Sequence, residues 1–397
     1  MGVNLGILAF FKYFNFFVDS FESMLSGFDG QLDYLHLNII LPVGISFYTF
    51  QTMSYTIDIY RGRLKPTKSL LDFAVFVAFF PQLVAGPIER AKHLLPQITS
   101  LKSPNRTQIR EGVALIVIGL FKKVMIGDAS GRLVDRMFGH IEQFSSMEML
   151  MALVLFSVQI YADFSGYSSI ARGLAKLLGI ELMKNFEQPY LSANITEFWR
   201  RWHISLSSWL KDYLYISLGG NRKGEARTYI NLMLTMLIGG LWHGASWNFV
   251  FWGGLHGIYL AIHKWMLKGK KVGLQPSGIG SPPALVKYLI HASSIYILVL
   301  FTWLFFRASD FQTVSIFFSK MINWESSELT FRFVKIAFSF MALTLGIDLI
   351  EYYTRSHAFL LKIPLKPIRY GVMLPMFIIV LIYMFQAEPL PFVYFQF

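Results

Sequence analysis

Three polar groupings interrupt an otherwise apolar chain, and each carries side chains able to do chemistry. The first is Gln159-Ile160-Tyr161-Ala162-Asp163-Phe164-Ser165-Gly166-Tyr167. At helical spacing Gln159, Asp163 and Tyr167 fall at i, i+4 and i+8 and share one face. A carboxylate near the middle of an apolar segment costs about 2.5–3.5 kcal/mol on insertion scales, so Asp163 has to face a cavity or a cation. Two readings stand: it braces helices by pairing with an Arg, or it takes part in chemistry directly.

The second grouping runs Asn194-Ile195-Thr196-Glu197-Phe198-Trp199-Arg200-Arg201-Trp202-His203-Ile204-Ser205-Leu206. Asn194 followed three residues later by Glu197 resembles a capping box and predicts a helix start. Phe198, Trp202, Leu206, Trp209 and Tyr213 form an apolar stripe, while Arg200, His203, Ser207 and Lys211 line another face. That pattern predicts one amphipathic helix lying at the membrane interface. On composition Arg200 and Arg201 read as snorkelling anchors and His203 as a passive interfacial residue, so a capped basic-aromatic helix alone points to no chemistry. The turn Leu218-Gly219-Gly220-Asn221-Arg222-Lys223-Gly224 follows. Backbone N–H groups freed by Gly beside Arg and Lys can hold phosphates, though a solvated loop looks the same in sequence.

The third is Gly239-Gly240-Leu241-Trp242-His243-Gly244-Ala245-Ser246-Trp247-Asn248. On a helix the neighbours of His243 are Gly239 one turn before and Trp247 one turn after. Gly239 leaves room beside the imidazole for another molecule, and Trp247 would shape or dry that space. Apolar surroundings hold an imidazole neutral and able to accept a proton. An ionisable residue within a membrane segment is a functional candidate; the alternative is a buried His bonded to a neighbouring helix. His256 and His263 follow at i, i+7, but no carboxylate or close His pair accompanies them, so no metal site is expected.

Other chemistries lack their residues. With no Cys there is no disulfide, thiolate site or cysteine acyl-enzyme. The chain has no Gly-x-Ser-x-Gly elbow, no Gly-x-x-x-x-Gly-Lys-Ser/Thr loop and no paired-carboxylate motif.

The elements that must position these groups are membrane helices. Of 397 residues, 54% are hydrophobic, 17% aromatic and only 15% charged, against roughly 25% charged in a soluble domain. The excess of Lys+Arg over Asp+Glu, 36 − 24 = +12, fits basic cytoplasmic loops and anionic lipid headgroups better than nucleic acid. The first residues carry no cationic region or cleavage site, so no removable signal peptide is expected. Apolar segments near 3–18, 39–57, 70–88, 113–126, 149–178, 229–252, 253–266, 288–306, 334–350 and 371–385 give roughly ten candidate spans. Leu41-Pro42-Val43-Gly44 and the Pro81–Pro87 stretch break two of them. Backbone groups freed at membrane depth need protein or water partners, which predicts re-entrant or broken helices around a cavity, with Pro kinks in a packed bundle as the alternative. Only 269–283 reads as a linker, and the chain reads as one polytopic domain over 1–397.

Taken in order, these motifs resemble the membrane-bound O-acyltransferase superfamily, in its branch similar to alginate O-acetyltransferases. The resemblance rests on Leu41-Pro42-Val43-Gly44-Ile45-Ser46-Phe47-Tyr48, Phe80-Pro81-Gln82-Leu83-Val84-Ala85-Gly86-Pro87 and Asp163-Phe164-Ser165-Gly166-Tyr167-Ser168. It continues through Phe198-Trp199-Arg200-Arg201-Trp202-His203-Ile204-Ser205, the Asp212–Arg222 stretch and Gly240-Leu241-Trp242-His243-Gly244, and reaches Tyr394-Phe395-Gln396-Phe397. It implies an all-α integral membrane protein, a multi-helix bundle with re-entrant or broken helices around a central tunnel. Relatives usually carry further spanning segments ahead of the stretch resembling 4–19, so the resemblance leads us to expect a chain lacking them.

The family's essential histidine falls on His243 and its second polar position on His203. Asp163, Gln159, Trp242, Trp247 and Asn248 are the expected supporting polar core. Arg200, Arg201, Asn221, Arg222 and Lys223 are the expected donor contacts. The implied reaction moves an acyl group, acetyl above all, from cytoplasmic acetyl-CoA or another acyl-CoA to an extracytoplasmic polysaccharide, as in exopolysaccharide biosynthesis. Transfer is direct or through an SGNH-type acetyltransferase partner. No bound cofactor is implied, and the setting is the bacterial cytoplasmic membrane. In that scheme His243 is the general base, and His203 or a nearby Arg the oxyanion donor. The competing class is a multi-pass glycan or lipid transporter or flippase, although no inverted internal repeat is visible.

Overall fold

The computed structural model describes residues 1–25, 36–42, 44–83, 86–267, 282–386 and 390–392, and among these every regular element is a helix. Most of the expected linker and the chain's last residues, 394–397, lie outside the described residues. Among the described residues, four helices are long and apolar enough to cross a membrane: Ser146–Leu177, Pro283–Arg307, Thr330–Thr354 and Lys366–Gln386. Several of the other expected spans are shorter or interrupted, and 253–266 lies in helix Trp247–Leu267, which is 21 residues long but not among the four. Residues 70–88 split into Leu70–Val77 and Phe80–Leu83, and 39–57 becomes helical only at Ile45. The expected segment 229–252 divides into helices Glu225–His243 and Trp247–Leu267.

Helix Ser146–Leu177 is the axle of the bundle, with 89% of its apolar window buried inside the protein against 11% for Lys366–Gln386. It starts with a capping box between Ser145 and Glu148, and Lys176 in its last turn complements the helix dipole. Glycines let helix Arg106–Leu120 press against it. A Cβ on Gly119 would stand 2.6 Å from the Gly166 carbonyl oxygen, and one on Gly112 2.8 Å from that of Gly173. With lipid outside, such backbone approach supplies the packing energy that water-driven burial cannot. Gly240 and Gly253 let Glu225–His243 and Trp247–Leu267 close into a hairpin in the same way.

Among the described residues, three wide-turn π segments, Ala9–Tyr13, Phe121–Asp128 and Leu210–Tyr215, interrupt the helices, and each carries at least one Lys. Such segments gather at functional or strained positions. In the second, Lys123 Nζ lies 2.6 Å from Asp163 and 2.7 Å from Asp128, while Lys122 pairs with Glu351 at 2.6 Å. These pairs tie three distant stretches of chain together. Losing either partner would leave an uncompensated buried charge.

Candidate active site

Asn194 caps helix Ile195–Arg201 as its spacing predicts, its Oδ1 accepting from the Glu197 N–H at 2.8 Å. The expected continuous amphipathic helix does not form. The helix stops at Arg201, His203 takes left-handed backbone angles (φ 42°, ψ 55°), and a second helix runs Ile204–Trp209. The break reflects a competing set of bonds. Asn185 Oδ1 accepts from Ser205 N at 3.2 Å, Ser205 Oγ at 2.8 Å and His203 Nδ1 at 3.1 Å. The Ile204 N–H also donates to the Asn185 carbonyl at 2.9 Å. His203 therefore leaves the polar face and is fully buried, its ring 4.6 Å from Phe164. Left-handed geometry in a non-glycine residue costs on the order of 1–3 kcal/mol and persists where its surroundings over-determine it.

His243 is the last residue of helix Glu225–His243, and Gly244 leaves it in extended conformation. Its ring lies 5.2 Å from Trp242, 5.1 Å from Trp252, 5.4 Å from Phe306 and 6.4 Å from His203, centroid to centroid. Trp247 is not part of this shell. Because the helix ends at His243, Trp247 opens the next helix, is 56% exposed, and donates from Nε1 to Ser20 Oγ at 3.2 Å. Trp242 and Trp252 take the place expected for it. A Cβ on Gly239 would meet Leu210 Cδ1 at 3.0 Å and nothing else within 4 Å, so the Leu210 side chain, rather than open space, stands against this glycine. Asn248 is a brace, its Nδ2 donating to the Ala308 carbonyl at 2.9 Å.

Two residues that sequence patterning missed hold the end of this helix. Lys12 Nζ donates to the carbonyls of Trp242 at 2.7 Å and His243 at 3.0 Å, and the Tyr13 hydroxyl donates to that of Leu241 at 2.9 Å. A lone Lys in a Phe-rich stretch gives no hint of this. Asn185 was equally hidden, in an irregular stretch without periodicity.

The cation beside Asp163 is Lys123 rather than an Arg, and Gln159 packs against Gly131. His256 Nε2 lies 2.9 Å from Thr302 Oγ1 and His263 Nδ1 2.8 Å from Thr196 Oγ1, so each has its own partner. The one compact group of potential metal ligands among the described residues is Asp19, Glu22 and His36, which includes neither paired imidazole and is largely exposed.

A cavity of about 1250 Å³ lies between the broken helix and the hairpin, with Arg200, Lys211, Asn221, Lys264, Trp199 and Leu210 in its lining. Trp199 links it to the buried ring cluster, 5.0 Å from His256 and 5.8 Å from Trp252. The other expected donor contacts lie elsewhere. Arg201 is committed to Glu197 at 2.7 Å, a pair a carboxylate this buried requires. Arg222 and Lys223 are exposed and outside the lining.

The sequence model of the membrane-bound O-acyltransferase family matches residues 61–302, which include both paired histidines. Among curated proteins, the chain is 43% identical over 332 residues to a probable alginate O-acetylase of Pseudomonas putida, covering 83% of this chain and 65% of that one. The corresponding Pseudomonas aeruginosa protein is 43% identical over 330 residues, covering 82% and 61%. A peptidoglycan O-acetyltransferase of Helicobacter pylori is 38% identical over 337 residues, covering 78% and 61%. The chain thus spans less than two thirds of the length of these relatives.

Proposed function

This chain belongs to the membrane-bound O-acyltransferase family, and on that premise we propose that it moves an acyl group, acetyl in the first instance, from a cytoplasmic acyl-CoA to a hydroxyl of an extracytoplasmic polysaccharide. The observation that carries the reading is the pair of buried imidazoles, His203 and His243, held 6.4 Å apart inside an aromatic shell. Relatives named for acetylating alginate and peptidoglycan support a polysaccharide as acceptor.

His243 takes the acceptor's hydroxyl proton as that oxygen attacks the thioester carbonyl. The C–O bond forms, the C–S bond breaks, and the leaving thiolate recovers the proton from the imidazolium. A positioned base of this kind contributes about 10²–10⁴-fold. His203 has a different part from the expected oxyanion donor. Asn185 Oδ1 assigns the proton of a neutral His203 ring to Nδ1, which leaves Nε2 an acceptor. His203 then orients the attacking hydroxyl. The oxyanion donor falls instead to an indole N–H: those of Trp242 and Trp252 are buried without a partner among the described residues, and both rings flank His243.

The donor's phosphates lie in the cavity beside Arg200, Lys211 and Lys264. Delivery to the polymer is direct or through an SGNH-type partner, in the cytoplasmic membrane of a bacterium. The test is transfer by membranes carrying the chain, given acetyl-labelled acetyl-CoA and polysaccharide with and without extracytoplasmic partner proteins. Label in the polymer supports the reading. No transfer, with glycan or lipid flux in proteoliposomes lacking acyl donor, would replace it with a transporter.

A further inference from the structure

A helix leaves its last carbonyls without intrahelical partners, and the usual remedy is a left-handed glycine that folds backbone N–H groups over them. Helix Glu225–His243 lacks that remedy, because Gly244 is extended (φ −157°, ψ 151°). Its final carbonyls, on Leu241, Trp242 and His243, are instead bonded by Tyr13 and Lys12, adjacent residues in the Ala9–Tyr13 π segment. Lys12 Nζ is itself tethered by Ser46 Oγ at 3.3 Å, from helix Ile45–Tyr60. A cation at a helix C-terminus also complements the dipole.

We propose that Lys12, seconded by Tyr13, is a positioning residue for the reaction. Its ammonium fixes the last turn of the helix and so the direction from which the His243 imidazole meets the acceptor hydroxyl. The inference rests on the acyl-transfer reading above and adds a residue far from the motif that carries His243. Lys12 bonds two backbone carbonyls and the Ser46 hydroxyl and lies outside the lining of the donor cavity, so its loss misdirects the base without altering that cavity. Small misplacements of a reacting group cost turnover rather than binding.

The experiment compares Lys12→Met, which keeps the side chain's bulk without its charge, with Lys12→Arg, using acetyl transfer by membranes holding equal amounts of each protein. The expected result is a kcat for Lys12→Met lowered about tenfold or more at an acetyl-CoA KM within about twofold of the parent, with Lys12→Arg recovering much of the loss. A Lys12→Met kcat within about threefold of the parent would overturn the inference, as would parallel losses of kcat, KM and membrane level that Arg fails to restore. If Lys12→Met does not accumulate, Tyr13→Phe decides: a lower kcat at unchanged KM supports positioning, and an unchanged kcat overturns it. Absence of transfer by the parent chain would instead sink the acyl-transfer reading, which separates the two failures.

Discussion

His203 and His243 face one another with ring centroids 6.4 Å apart and planes inclined by 58°, the first at a break between two helices and the second at the end of another. Neither is set by an uninterrupted helix. Each ring is placed by side chains that satisfy backbone or ring atoms where the helix fails: Asn185 and Ser205 at His203, Lys12 and Tyr13 at His243. Placing a group this way costs conformational energy and returns orientation.

The left-handed backbone at His203 makes its replacements separable by shape. Asn tolerates φ near +42°, whereas a β-branched residue does not. His203→Asn should accumulate in membranes at near-parental levels, and His203→Val should be less stable by about 1–3 kcal/mol. Thermal unfolding of the detergent-extracted proteins, followed by size-exclusion fluorescence, reads the difference. Equal midpoints would contradict the strained geometry.

Asn185 should matter through the ring it orients. Asn185→Leu removes the acceptor of the His203 Nδ1–H and frees the other tautomer. We expect kcat to fall about ten- to a hundred-fold, as when partners that orient a working imidazole are removed, with little change in donor KM. A parental kcat would show that His203 does not need a fixed tautomer.

Helix approach at the glycines gives a stability prediction with its own control. Gly119→Ala puts a methyl 2.6 Å from the Gly166 carbonyl oxygen, and backbone has to move, at a cost of about 1–3 kcal/mol. Gly346→Ala meets nothing within 4 Å in helix Thr330–Thr354, and should be neutral or stabilising by up to about 1 kcal/mol. The same unfolding assay ranks them, and the reverse order would refute the packing account.

Neighbouring arginines should behave in opposite ways. Arg200→Gln or Lys264→Gln should raise the acyl-CoA KM, more at low than at high salt, because charges at an open cavity are screened within about 8 Å at physiological ionic strength. Arg201→Gln should instead lower stability, since it strands the Glu197 carboxylate, only 4% exposed; breaking such a pair costs about 3–5 kcal/mol. Donor titrations and unfolding curves on the same preparations decide. An Arg201 effect confined to donor KM would move the phosphate site.

Much of this was legible in the amino-acid order, and the failures have physical causes. Four of the roughly ten expected apolar runs fall on helices long and apolar enough to span, and the Asn194–Glu197 spacing located a helix start. Periodicity did not reveal the break at His203, because the Phe198–Trp202–Leu206 stripe continues through a single left-handed residue and the deciding acceptor, Asn185, comes from a different stretch of chain. Trp247 was misplaced by extending helical spacing across Gly244, itself a plausible stop signal. Lys12 was out of reach, since nothing local connects it to a carbonyl 231 positions away. What sequence shows least well is where helices end, and this site is built from helix ends.

The central claim is that His243 accepts the proton during acyl transfer from acyl-CoA. The most direct measurement is acetyl transfer from labelled acetyl-CoA to polymer by membranes holding matched amounts of the parent and His243→Ala chains, with acetyl-CoA binding measured on the same preparations. The account predicts transfer by the parent, a loss of about 10²-fold or more in the variant, and unchanged donor binding. Transfer by His243→Ala within about tenfold of the parent would contradict it.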